Sequence, residues 1–231
     1  LVISLIPNIV KDYNEKNTAS MNQTFNKCLK IIILIVSPLA IFISVMSNSM
    51  WNIFYGTNQY GNLIIKVNII VTIFDCLYIV VNSLLQSINS EKTIYKSVII
   101  GQLVNVALDI PFMVLFAKIG LPAYYGAIAG TLSCFLISNI ISMRYLNKEM
   151  HLNYQETIES IPRFILSAIV LIIMLEIFKL ILPVESTSRL IQLFNIIVSG
   201  IICGGTYLAI NFKSICSILP SKFLNKLKLN K

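Results

Sequence analysis

Six uninterrupted apolar runs constrain this chain more than any other feature. They lie at roughly Leu29–Ser47, Leu63–Ser87, Ile94–Ala117, Pro122–Leu146, Ile161–Leu182 and Leu190–Phe212. Each approaches or exceeds the roughly 20 residues that an α-helix needs to cross a bilayer core. Runs this long are not buried strands, and lipid tolerates no strand with unpaired backbone edges. The expected fold is therefore all-α, a polytopic helical membrane protein. Composition agrees: of 231 residues, 56% are hydrophobic and 12% charged, and the mean hydropathy is +0.80. A water-soluble domain carries about twice that charge. A soluble enzyme, a nucleic-acid binder and a disulfide scaffold are excluded on the same ground.

The first thirty residues read differently. Leu1–Val10 resembles the end of a helix already under way, stopped near Pro7, so the chain is expected to be a fragment. No basic n-region or small-residue cleavage site marks a signal peptide. Lys11–Lys30 is polar, with Met21, Phe25 and Leu29 recurring every fourth residue, the pattern of an interfacial helix leading into the bilayer. Residues 1–30 thus form a truncated helix end and a linker, 29–147 a four-helix unit, 161–212 a further helix pair, and 213–231 a basic tail.

Orientation follows from the basic residues. The net charge of +8 arises from 18 Lys and Arg against 10 acids. If Lys11–Lys30 is cytoplasmic, that side collects fourteen of the basic residues, including Lys92, Arg144, Lys148, Arg163 and the tail lysines. Lys66, Lys118, Lys179 and Arg189 fall opposite. Cytoplasmic loops of membrane proteins are enriched in this way, so a multi-pass cell-membrane protein with a cytoplasmic C-terminus is expected. Asn48–Asn62 has no Lys or Arg but carries Trp51, Tyr55 and Tyr60, as an external interface would. The alternation of Lys with Leu and Phe in SKFLNKLKLNK suits anchoring to anionic headgroups.

Polar groups at bilayer depth are costly and mark interior or aqueous surfaces. Asn68, Thr72, Asp75, Asn82 and Gln86 are spaced by 4, 3, 7 and 4, which places them on one helical face. Such a stripe suits the wall of an aqueous cavity better than interhelical hydrogen bonding. On the next helix Gln102, Asn105 and Asp109 also share a face, with lumen lining and packing both open, and Pro111 is expected to kink the helix beyond them. Glu176 sits one turn from Lys179, an interfacial ion pair. Gly126-Ala127-Ile128-Ala129-Gly130 is a small-residue patch for close helix contact, and Gly200, Gly204 and Gly205 look alike. His151, the single histidine, has no companion ligand at metal spacing. The five cysteines form no C-x-x-C pair and read as packing residues. Neither P-loop, G-x-S-x-G nor triad is present, so no enzyme, metal site or cofactor is expected.

The order of segments resembles a known family. LIPNIVKDYNEKN, a polar helix, and KIIILIVSPLAIFISVMSNSMWNIFYG, with Pro7, Pro38 and Tyr55-Gly56, resemble the second lobe of the multidrug/oligosaccharidyl-lipid/polysaccharide flippase superfamily. SLLQSINSEKTIYKSVIIGQLVNVALDIPFMVLF, with Gly101 and Asn105, followed by GLPAYYGAIAGTLS, is similar to its oligosaccharide flippase branch. The resemblance implies the second lobe of a two-lobe flippase plus two extra C-terminal helices, with the N-terminal lobe missing. It also implies alternating access that carries a lipid-linked oligosaccharide from inner to outer leaflet. Asp75 would meet the glycan or a coupling ion, proton or sodium. Membrane lipids and the missing lobe are the implied partners, and nucleic acid is not one. A lipid II flippase or cation-coupled drug exporter of the same superfamily, and a membrane subunit that transports nothing, are the alternatives.

Overall fold

The computed structural model describes residues 2–56, 60–181 and 188–218. Among them there are helices and turns but no strand. After a 3₁₀ turn at Ile3–Leu5, α1 spans Ile6–Asn14 with Pro7 in its first turn. Proline is tolerated there because that N–H has no intrahelical acceptor anyway. Pro7 therefore opens a helix where the sequence led us to expect it to end one. Lys11–Lys30 is likewise not one helix. Lys16 takes φ 55°, and Asn17 caps the start of α2 (Thr18–Ile31) by accepting the Ser20 N–H.

α2 runs through a π-helical turn at Ile32–Val36 into α3 (Ser37–Val45), so the linker and the first span are a single rod, Thr18–Val45. Pro38 explains the wide turn. Its missing N–H and its ring are incompatible with the regular i→i−4 bond to Leu34. The Ser37 hydroxyl donates instead to the Ile33 carbonyl, which also receives Tyr207 Oη at 3.4 Å. Beyond Met46 the chain starts α4 (Ser47–Tyr55), a helix in the place where an external loop is expected. Trp51 of α4 stacks on Tyr55 with centroids 4.4 Å apart. Its ring also covers Gly61, where a Cβ would overlap it.

Five long helices and a short one follow: α5 (Gly61–Ser87), α6 (Glu91–Lys118), α7 (Tyr124–Met150), α8 (Gln155–Ile181), α9 (Arg189–Ile210) and, shorter, α10 (Phe212–Ile218). With Thr18–Val45, the helices from α5 to α9 make six, among the described residues, that are long and apolar enough to cross a membrane. Some continue past the apolar run with polar turns. α8, for example, begins at Gln155 and not at Ile161, because Glu156 suits the positive end of a helix. Pro111 sits inside α6 without ending it. The turn between α6 and α7 uses Gly120 at φ 80°, a conformation that side chains with a Cβ avoid. Residues 182–187 and residues 219–231 of the basic tail lie outside the described residues.

Two cores organise these rods. The first gathers Ile6 and Ile9 of α1, Met21, Phe25 and Leu29 of α2, Val81, Leu84 and Leu85 of α5, and Leu146 and Met150 of α7. Met21, Phe25 and Leu29 are the every-fourth-residue face expected from sequence, and all three are buried. The second core joins Leu34 and Met46 to Phe164, Leu171 and Leu175 of α8 and Ile196, Cys203 and Tyr207 of α9. The α8–α9 pair thus packs on α3 and α4, while α5, α6 and α7 form the opposite side of the molecule.

Candidate functional site

The polar residues of the α5 stripe differ in exposure. Asn68 and Gln86 are exposed, and Thr72, Asp75 and Asn82 are half-buried. At the end of the bundle next to the Ile88–Ser90 turn, Asn82 and Gln86 line a cleft of about 370 Å³ together with Tyr78, Ser83, Glu91 and Tyr95. The cleft therefore combines two amides, a hydroxyl, a carboxylate and two phenol rings. Amides and carboxylates hydrogen-bond hydroxyl-rich molecules, and aromatic faces cover their apolar C–H surfaces. Asn82 Oδ1 is buried without a hydrogen-bond partner, an acceptor whose desolvation is uncompensated within the chain. Asn68, Thr72 and Asp75 lie farther along α5 and do not line this cleft.

The α6 residues fall on a packed seam. Gly126 lies so close to the α6 backbone at Phe112 and Met113 that a Cβ there would overlap it. Gly101 faces Cys134 and Ser138 in the same way, and Ser138 Oγ donates to the Ser97 carbonyl at 3.0 Å. Asn105 and Asp109 reach across the seam to Gly130, where a Cβ would strike Asp109 Oδ1 and crowd Asn105 Oδ1. Both oxygens are buried and neither has a hydrogen-bond partner. Two acceptors with no donor between them form an electron-rich spot suited to a proton or a small cation. Gln102, by contrast, is exposed. Of the three, Asn105 and Asp109 lie against α7, and Gln102 does not.

Several features were not anticipated. On α7 the residues Gly126, Gly130, Cys134, Ser138, Ser142, Leu146 and Met150 are all buried. They recur every fourth position, a row that advances about 40° around the axis per step. The row winds from the α6 seam at one end into the first core at the other. Only its glycines are conspicuous as a sequence motif. Asn139, beside the row, donates to the Phe74 carbonyl of α5 at 3.0 Å. The polar linker face also carries buried contacts. Asn26 is 2% exposed and donates to the carbonyls of Asn22 and Asn153 at 2.9 and 2.7 Å. Lys30 pairs with Glu156 at 3.1 Å. An apolar groove of about 520 Å³ runs between α3 and α9, past Leu39, Phe42, Gly200, Gly204 and Leu208. Gly200 lies against the Phe42 ring, whereas Gly204 and Gly205 have open space where a Cβ would stand, so they serve no close contact.

The remaining candidates behave simply. Glu176 and Lys179 form their pair at 3.1 Å. His151 is exposed and ends α7 in a left-handed conformation, φ 50°. All five cysteines are free. No group of three or more His, Cys, Asp or Glu is placed to hold a metal ion among the described residues.

Over 142 residues, 58% of this chain, the sequence is 27% identical to the lipid II flippase MurJ of Bacillus subtilis. The match spans 26% of that protein's length. This relative is a lipid II flippase, and its likeness does not single out the oligosaccharide branch. No family model matches the chain, and no solved structure matches it significantly.

Proposed function

We propose that the chain forms part of a flippase, a transporter and not an enzyme, that moves a lipid-linked glycan headgroup from the inner to the outer leaflet by alternating access. The observation that carries this reading is the cleft at Asn82 and Gln86, where hydrogen-bonding and aromatic groups converge. A glycan is held by many such contacts and not by a single charge. The apolar groove of α3 and α9 offers a polyprenyl tail a surface of matching character. The α5 stripe extends the polar path from the cleft through Asp75 and Thr72 to Asn68. Asn105 and Asp109, with their two unpartnered oxygens, are the proposed seat of a coupling proton or sodium ion, and they suit it better than Asp75. A missing N-terminal lobe completes the transporter, and the C-terminus is cytoplasmic.

The segment order favours an oligosaccharide repeat unit as cargo. The similarity to a lipid II flippase supports lipid II as a second reading. Both are tested by reconstituting the intact protein in liposomes that carry either fluorescent lipid, and following its exposure to an external quencher. Asp75→Asn combined with Asn82→Leu is expected to lower transport about tenfold or more while membrane insertion stays normal, since several hydrogen bonds to the glycan are lost. Transport at the unaltered rate would refute the cleft assignment. Which lipid moves decides between the two cargoes.

A further inference from the structure

A second polar cavity lies at the junction of α2 and α8 and has no part in the proposed transport path. It holds about 490 Å³ and is lined by Lys30, Glu156, Glu159, Ser160, Pro162 and Arg163. Its donors outnumber the acceptors they have found. The Lys30 side chain is 9% exposed, and its bond to Glu156 Oε2 at 3.1 Å uses one of the three donors of an ammonium. Arg163 has no ion-pair partner among the described residues. The other lining groups are engaged: Glu159 accepts from Gln155 Nε2 at 3.0 Å, and the Ser160 hydroxyl donates to the Glu156 carbonyl at 2.9 Å. The buried Lys30 ammonium, with spare donors, calls for an oxygen-rich anion, and the exposed Arg163 stands at the rim to share it.

Position narrows the choice of anion. Lys30 immediately precedes the apolar Ile31–Val36, and Arg163 immediately precedes Phe164–Val170. In helices that cross a bilayer, the last cation before the apolar run stands at the depth of lipid phosphates. Glu156 is 54% exposed, so it can turn to water and release Lys30 at little cost.

We propose that this cavity binds a phosphate ester, with Arg163 and the Lys30 ammonium as donors and Glu156 as an internal competitor for Lys30. The proposal is independent of the transport reading and of its cargo. The phosphate can come from a glycerophospholipid headgroup or from a soluble phosphate, and the arms of the test separate these sources.

Native mass spectrometry of the intact protein, titrated with dioleoylphosphatidylglycerol, dioleoylglycerol or inorganic phosphate, reads the binding directly. Phosphatidylglycerol adducts are expected to exceed those of dioleoylglycerol. Arg163→Gln should weaken them about tenfold, as loss of a forked guanidinium–phosphate contact does. Glu156→Gln should strengthen them, because Lys30 is then free of its carboxylate, a gain that a merely structural ion pair would not produce. Arg144→Gln, an exposed arginine outside the cavity, is the control and should change nothing. If inorganic phosphate alone binds with this dependence on the variants, the site belongs to soluble phosphates. Equal binding of dioleoylglycerol, or adducts indifferent to both variants with no phosphate binding, would overturn the proposal.

Discussion

Asn26 and Thr157 stand 131 residues apart in the chain and are joined twice, the Thr157 N–H donating to Asn26 Oδ1 at 3.1 Å and its hydroxyl to the same oxygen at 2.6 Å. One amide thus fastens the start of α8 to α2, and its own NH2 group holds Asn153 in the preceding turn. Asn26→Leu would leave both Thr157 donors and the Asn153 carbonyl without this partner. Each orphaned donor of the buried Thr157 costs about 1–3 kcal/mol. A clear fall in the thermal midpoint is expected, with proteolysis appearing first in His151–Gln155. A midpoint equal to that of the parent would show that the clamp contributes nothing.

The glycines of α7 and α9 should respond in opposite ways to the same substitution. Gly126→Ala forces a methyl into the α6 backbone, and overpacking of this kind costs about 1–3 kcal/mol. Gly204→Ala meets open space and should be neutral, or stabilising by up to about 1 kcal/mol through helix propensity. Thermal unfolding of the two variants in one detergent measures the contrast, and equal midpoints would contradict the close seam.

Asp109→Asn tests the ion-coupling proposal. The substitution keeps the shape of the side chain and removes the carboxylate facing Asn105 and Gly130. Stability should be retained or improved, because a buried acceptor without a donor costs energy as it stands. Transport by liposomes should lose its response to an imposed sodium or proton gradient. A gradient response that persists in the variant would place coupling elsewhere.

Tyr154, in the turn between α7 and α8, has its phenol pushed above the usual value by burial, and its ring meets Phe25 edge-on with centroids 5.9 Å apart. Below about pH 10, the ordinary phenol value, folded and unfolded chains both keep the proton and the contact contributes fully. Above it the unfolded chain ionises first, so stability falls as pH rises, until the folded phenol ionises as well. Alkaline unfolding followed by circular dichroism should shift to higher pH in Tyr154→Phe. An unshifted curve would remove the phenol from the account.

What was legible in the sequence follows from which interactions leave a periodic trace. Met21, Phe25 and Leu29 declared the buried face of α2 because apolar side chains must repeat with the helix to meet one core. Gly126 and Gly130 declared the seam because only small residues allow helix axes so close. Asn26 and Lys30 left no such trace, since their partners Thr157 and Glu156 lie more than a hundred residues away and polar spacing does not reveal distant pairing. Pro7 and Pro38 were ambiguous for a related reason. A proline marks a missing hydrogen bond, and whether that begins, widens or ends a helix depends on what replaces the bond. At Pro38 the neighbouring Ser37 hydroxyl and Tyr207 from α9 attend to the Ile33 carbonyl. Asp109 stood out as a polar residue within an apolar run, but Gly130, which it reaches, belongs to another helix.

The glycine seam also has a mechanical consequence. Where Gly126 meets the α6 backbone and Gly101 meets Cys134 and Ser138, there are no long side chains to slide or swap rotamers, so α6 and α7 behave as a stiff plank. The α5–α7 boundary is filled by larger side chains, with Tyr78 edge-on to Phe135 at 5.6 Å. Such boundaries yield by small shears. Any relative motion of the helices would therefore fall along α5, with α6 and α7 moving together.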